Sequence, residues 1–184
     1  DFDHAADHFG TGTGFGYTRT GNPTVHAVER QLASLESGAD AVLVASGQAA
    51  VTTALLSVVG AGDHIVSSTH IYEGTRGLFL DNLARLGIET TFVDDIAYPD
   101  AWREAVRPTT RALFAESLAN ARNDVLDVAA VSAVADEIAV PLIVDNTVAT
   151  PALLRPLEHG AAIVVHSASK FLAGQGAVLG GVVV

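Results

Sequence analysis

Residues 141–170 read PLIVDNTVATPALLRPLEHGAAIVVHSASK. Two short apolar runs frame this stretch, Leu142-Ile143-Val144 and Ile163-Val164-Val165. Both have the length and β-branched content of buried strands, which places strands at 141–144 and 162–165 with a short element between them. Asp145 follows the first run directly. Lys170 follows the second through His166-Ser167-Ala168-Ser169.

The same alternation extends outward. Further strands are expected at 41–44, 64–67, 89–93, 111–115 and 182–184. Helices are expected at 48–59, 72–86, around 100–106 and at 128–138. In 72–86, Leu78, Phe79, Leu83 and Leu86 fall on one face. Earlier in the chain Val25, Val28, Leu32 and Leu35 recur at helical spacing, with Pro23 suited to the first turn and Gly38 to the stop. Residues 1–22 are polar and Gly-rich and read as an extended arm. The expected organisation is therefore an arm and first helix over 1–38, then an α/β domain over 39–184.

Strands alternating with helices imply crossover connections and a mostly parallel sheet sandwiched by helices. Such sheets bind ligands at the carboxyl ends of their strands. The polar residues in that position are Ser46-Gly47-Gln48, residues 68–72, residues 116–120, Asp145-Asn146-Thr147 and residues 166–170.

Composition narrows the function. The 184 residues are 49% hydrophobic and carry a net charge of −11. Only ten are Lys or Arg, scattered along the chain, which argues against a nucleic-acid surface and for a small-molecule partner. The absence of cysteine excludes disulfides and thiolate metal sites and fits a cytoplasmic protein. Seven histidines without a ligand-like pair argue against a metal. No apolar run reaches the roughly 18 residues that span a bilayer. Asp1-Phe2-Asp3-His4 is acidic, unlike a signal peptide. The lack of methionine and the end on Gly180-Gly181-Val182-Val183-Val184 read as an incomplete chain.

Some motifs fail. Residues 10–16, GTGTGFG, lack the third glycine of G-x-G-x-x-G and precede the first strand. There is no G-x-x-x-x-G-K-[ST], and Asn22-Pro23-Thr24 has proline where a glycosylation acceptor forbids it.

Asp145 and Lys170 should open onto one rim of the sheet. On their own they could form a rim salt bridge. Their surroundings also suit pyridoxal phosphate (PLP). That cofactor needs an amine for a Schiff base, an acid at the pyridine nitrogen and donors for the phosphate. Lys170 can be the amine and Asp145 the acid, with Ser167 and Ser169 bonding phosphate oxygens. Ser46-Gly47-Gln48 sits where a strand turns into a helix, and a helix N-terminus attracts anions.

Four segments carry a specific resemblance. Residues 17–24, YTRTGNPT, resemble Y-[ST]-R-x-x-N-P-T. Residues 46–50 resemble S-G-[MQ]-A-A. Residues 141–147 resemble P-L-x-V-D-N-T. Residues 165–171, ending in Gly180-Gly181, resemble V-V-H-S-[AL]-T-K-Y…G-G. In this order they resemble the Cys/Met-metabolism (transsulfuration) PLP family. The implied fold is PLP-dependent transferase fold type I (aspartate-aminotransferase-like), with the C-terminal domain missing.

The resemblance implies roles. Lys170 would be the Schiff-base lysine and Asp145 the partner of the ring nitrogen. Tyr72 would stack on the ring and Asn120 approach its hydroxyl. Gly47, Gln48, Ser167 and Ser169 would bind the phosphate. Tyr17 and Arg19 would reach the neighbouring subunit's cofactor in a homodimer or dimer of dimers, making the arm and first helix a dimer contact. Ser169 replaces a usual threonine, Glu73 a usual glycine, and Ala119 and Ala121 a usual Gly and Pro. The family's carboxylate-gripping arginine has no match.

Gln48 resembles the O-acylhomoserine sulfhydrylase subgroup, and Gly74 stands where methionine γ-lyases carry a cysteine; the subgroup implies replacement of the γ-substituent of an activated homoserine by sulfide or a thiol. Cystathionine γ-synthase, the cystathionine lyases and methionine γ-lyase are alternatives within the family. A nucleotide-binding α/β module and a catalytically inert fragment are alternatives outside that chemistry.

Overall fold

The computed structural model describes residues 2–3, 6–7, 14–120 and 122–184. Seven strands form one sheet: β1 (Val42–Val44), β2 (His64–Ser68), β3 (Glu89–Val93), β4 (Thr110–Glu116), β5 (Leu142–Asp145), β6 (Ile163–Ser167) and β7 (Gly181–Val183). Their spatial order is β1-β7-β6-β5-β4-β2-β3. Pairings from β3 through β6 are parallel, and β7 runs antiparallel between β6 and β1. The expected mostly parallel sheet is what forms.

Strand alternation places core residues on both faces of the sheet. Val66, Leu113, Ala115, Leu142 and Val144 face one side, against Trp102 of helix α4 (Pro99–Ala105) and Val128, Val131 and Val134 of α5 (Val128–Glu137). Their neighbours Ile65, Ala112, Phe114 and Ile143 face the other side. There they meet Ala50, Val51 and Leu55 of α2 (Gly47–Leu56), with Phe79 and Leu83. Side chains alternate across a strand, so a sheet covered on both faces needs consecutive apolar residues. Each large side chain so buried contributes roughly 1.5–3 kcal/mol.

The expected helix at 72–86 begins as α3 (Glu73–Gly77). Leu78–Leu83 then forms a π-helical segment. A π turn takes in more residues than an α turn and shifts the phase of the apolar stripe. Phe79 and Leu83 stay in the core, whereas Leu86 turns outward and is 53% exposed.

The first helix, α1 (Pro23–Leu35), is capped by Asn22, whose side-chain oxygen accepts from the N–H groups of Thr24 (2.9 Å) and Val25 (3.2 Å). Its chain reversal comes at Ser37, with φ 62°, one residue before the expected Gly38. The apolar stripe is only partly covered by the described residues: Leu32 is half-buried against Ala41 and Val182, Val25, Val28 and Leu35 are exposed, and Ala33 is fully buried. The arm is not extended throughout, because Phe2, Asp3, Ala6 and Asp7 are helical and residues 17–20 form a turn. Most of the Gly-rich run at 10–16, and Ala121, lie outside the described residues.

Parallel pairing fixes the rim. Glu116 ends β4 beside Asp145 of β5, and Asp145 pairs with Val165 of β6. Three carboxyl strand ends therefore deliver polar residues to one edge.

Candidate active site

At that edge lies a cleft of about 550 Å³. Tyr72, Glu116, Asn120, Asp145, Thr147, Ser169 and Lys170 line it, with the segment after the lysine. Five of the ten residues singled out from sequence meet here: Tyr72, Asn120, Asp145, Ser169 and Lys170. Lys170 is exposed in the turn that follows β6, its N–H donating to the Ser167 carbonyl at 3.2 Å.

Asp145 keeps a face open to the cleft, while dense surrounding protein desolvates it. Burial raises its pKa. Two hydrogen bonds from Thr147, and the nearby His166, pull the other way. The Thr147 N–H donates to Asp145 Oδ1 at 3.0 Å and its hydroxyl donates to the same oxygen at 2.5 Å. The Ser167 N–H in turn donates to Thr147 Oγ1 at 2.8 Å. One threonine thus orients the acid and ties it to β6.

Gly47, Gln48 and Ser167 do not line the cleft, and Gln48 lines a separate hollow with Thr52 and Gly74. The N-cap Ser46 hydroxyl accepts from the Ala49 N–H at 3.1 Å. Gly47 and Gln48 lie in the first turn of α2, where N–H groups have no acceptor within a helix. Gly47 packs so closely on β6 that a Cβ there would lie 2.6 Å from Ser167 Cβ and 2.9 Å from its Cα. A glycine is required at that approach. The Gln48 side chain donates to Thr75 Oγ1 at 2.9 Å, so its backbone is the part available to an anion. The Ser169 hydroxyl donates to the Gly180 carbonyl (3.2 Å) and accepts from the Gly180 N–H (3.0 Å).

Tyr17 and Arg19 do not line this cleft. Both are exposed, with the Arg19 guanidinium 5.2 Å from the Tyr17 ring centre.

Two residues with evident work in the cleft were not singled out from sequence. Thr147 is one. The other is Glu116, whose pKa is pushed up to about 7 by burial and then by the neighbouring Asp145 charge, against hydrogen bonds from the Tyr72 and Asn120 backbone. Both stand in the strand-end positions that a parallel sheet marks for inspection. Their contacts with Asp145, however, follow from sheet register and turn geometry.

Residues 1–184 match the family of Cys/Met metabolism PLP-dependent enzymes. The chain belongs to that family. Among relatives of this family member, an O-acetyl-L-homoserine sulfhydrylase from Corynebacterium glutamicum is 54% identical over 91% of the chain and 38% of its own length. One from Leptospira meyeri is 48% identical over 100% of the chain and 42% of its own. A crystal structure from Campylobacter jejuni, described as an O-acetylhomoserine (thiol)-lyase with N'-pyridoxyl-lysine-5'-monophosphate, superposes with a TM-score of 0.89 at 38% identity. The match covers 100% of this chain and 45% of that one. The chain spans about two fifths of the length of the curated relatives it matches.

The residues present in this family member fit PLP. A lysine amine and a buried carboxyl share one cleft, and the glycine-tight start of α2 lies against Ser167 beside it. No described helix is long and apolar enough to cross a membrane.

Proposed function

We propose that this chain is the cofactor-binding part of an O-acylhomoserine sulfhydrylase, a protein that replaces the acyloxy group of an O-acylated homoserine with sulfide, releasing the carboxylate and yielding homocysteine, or with a thiol, yielding the corresponding thioether. The observation that carries the reading is the placement of Lys170 and Asp145 on one cleft at adjacent parallel strand ends. The sulfhydrylase relatives support the choice within the family.

Bound PLP supplies an electron sink that acidifies the carbons next to the substrate amine. The protein does the rest. Lys170 Nζ would hold the cofactor at rest and would carry the proton taken from the substrate α-carbon. Asp145 would keep a proton on the ring nitrogen, and Thr147 fixes the Asp145 carboxyl. Tyr72 would cover the ring and the Asn120 amide would serve its hydroxyl. The N–H groups of Gly47 and Gln48 and the hydroxyls of Ser167 and Ser169 would hold the phosphate. Ser169 would exchange its Gly180 partner for the phosphate or share it.

Tyr17 and Arg19 complete the phosphate site of a neighbouring subunit. The exposed Val25, Val28 and Leu35 of α1 support that arrangement, since an uncovered apolar stripe is stable when a second copy covers it. On this reading residues 1–38 are an intersubunit element, residues 39–184 the cofactor domain, and the assembly a cytoplasmic dimer or dimer of dimers.

The test uses the full-length protein. Wild type should show a visible cofactor band that borohydride locks onto the Lys170 peptide, and Lys170→Ala should not. O-acetylhomoserine and sulfide should then give homocysteine. Absence of the band overturns the cofactor reading. A band without homocysteine overturns the sulfhydrylase assignment.

A further inference from the structure

Glu116 ends β4 with its side chain almost fully buried, at 7% exposure. A carboxylate there needs compensation, and each of its oxygens takes a different loop. Oε1 accepts from the Tyr72 N–H at 2.6 Å, and Oε2 accepts from the Asn120 N–H at 3.1 Å. The first loop follows β2 and the second follows β4.

Both donors need an acceptor. Tyr72 is the N-cap of α3 and has no side-chain cap of its own. Asn120 lies in a turn beyond the strand. Both side chains are exposed at the mouth of the cleft, so nothing in the core pins them. Backbone bonds to one charged group are charge-assisted and directional.

We propose that Glu116 is a positioning residue that fixes the Tyr72 and Asn120 loops to a single carboxylate, so that both side chains are set over the cofactor together. The assignment of Tyr72 and Asn120 to the cofactor rests on the function proposed above; the clamp itself does not. The other titratable side chains lining the cleft are Tyr72, Asp145 and Lys170. Burial and the Asp145 charge hold Glu116 at about 7, so it stays available to lose and regain its proton near neutrality.

The clamp needs two acceptor oxygens. Glutamine has one, and its NH₂ would face an N–H donor. In the full-length protein, Glu116→Gln should keep the oligomer and its far-UV spectrum. Deuterium exchange in peptides covering 69–75 or 117–123 should speed roughly 10-fold or more, the loss expected for one charge-assisted bond. Peptides from 142–145 should be unchanged. The dissociation constant for PLP should rise by a similar factor.

Unchanged exchange in both segments, with the fold intact, overturns the proposal whether or not PLP binds. If Glu116→Gln unfolds globally, Glu116→Asp decides by the same comparison. That variant keeps the charge but is one methylene too short to span both loops, so it should release one of them. Failure of the wild type to bind PLP would remove the cofactor assignment and leave the exchange result to judge the clamp.

Discussion

Glu36 Oε1 lies 2.5 Å from His166 Nε2, and both side chains are 1% exposed. A hydrogen bond joins the imidazole to the carboxyl. The same oxygen accepts from Asn146 Nδ2 at 2.9 Å, and Asn146 Oδ1 accepts from the Ser117 hydroxyl at 2.7 Å. The end of α1 is thereby joined to the ends of β4, β5 and β6 beneath the cleft. Replacing Glu36 with alanine would leave buried His166 Nε2 without its partner and Asn146 Nδ2 with only the Leu154 carbonyl. Removal of one partner from such a network costs about 3–5 kcal/mol. Urea unfolding of Glu36→Ala should show this loss, and a change below about 1 kcal/mol would mean the network contributes little.

Thr147 holds Asp145 by two bonds and receives the Ser167 N–H. Thr147→Val keeps the shape, removes one bond to the acid and strands that N–H. The unpaired group alone should cost roughly 1–3 kcal/mol. The Asp145 carboxyl should also become harder to ionise, weakening cofactor binding. Thr147→Ser should restore both. Titration with PLP across the three proteins checks the order wild type, Ser, Val in decreasing affinity.

Glu116 gives a pH signature with a defined sign. Its folded pKa of about 7 lies above the ordinary 4.5. Between those values the folded chain holds more protons at this position than the unfolded chain, so stability falls as pH rises through the window. The contribution is fully present below about 4.5 and lost above about 7. A shift of that size corresponds to on the order of 3 kcal/mol. Asp145 is raised in the same direction, so the Gln variant isolates Glu116. From pH 5 to pH 8 the stability difference between Glu116→Gln and wild type should move toward the variant by about that amount. A constant difference would mean Glu116 titrates like an ordinary glutamate.

Gly47 is irreplaceable for a reason of space. An added Cβ meets both Cβ and backbone Cα of Ser167, and backbone does not yield cheaply. Gly47→Ala should destabilise by about 1–3 kcal/mol through overpacking and should weaken phosphate binding. Gly60→Ala is the control, since its nearest neighbour is 3.9 Å away. Thermal melts of the two variants should separate clearly; equal melts would show that the α2 start gives way without cost.

Much of the architecture was legible without coordinates. Short β-branched runs such as 142–144 and 163–165 have the signature of strands buried on both faces, and their alternation with helices leaves a parallel sheet as the natural solution. The strand-end rule then led to Asp145 and Lys170, which the sheet brings to one cleft. Where the reading slipped, the cause was local geometry. Leu86 fell in the turn after the helix and points outward, and the described residues cover the α1 stripe only in part.

Local pattern and motif thus determined the strands, the kind of sheet and the places of Lys170 and Asp145 after their strands, because each depends on neighbours a few residues apart. Register decided the rest. Only the pairing of β4 with β5 sets Glu116 beside Asp145, and only the folded crossovers bring Glu36 to His166 or Gly47 to Ser167. These contacts join residues 29 to 130 positions apart by the packing of whole elements, and no local run of sequence encodes a distance of that kind.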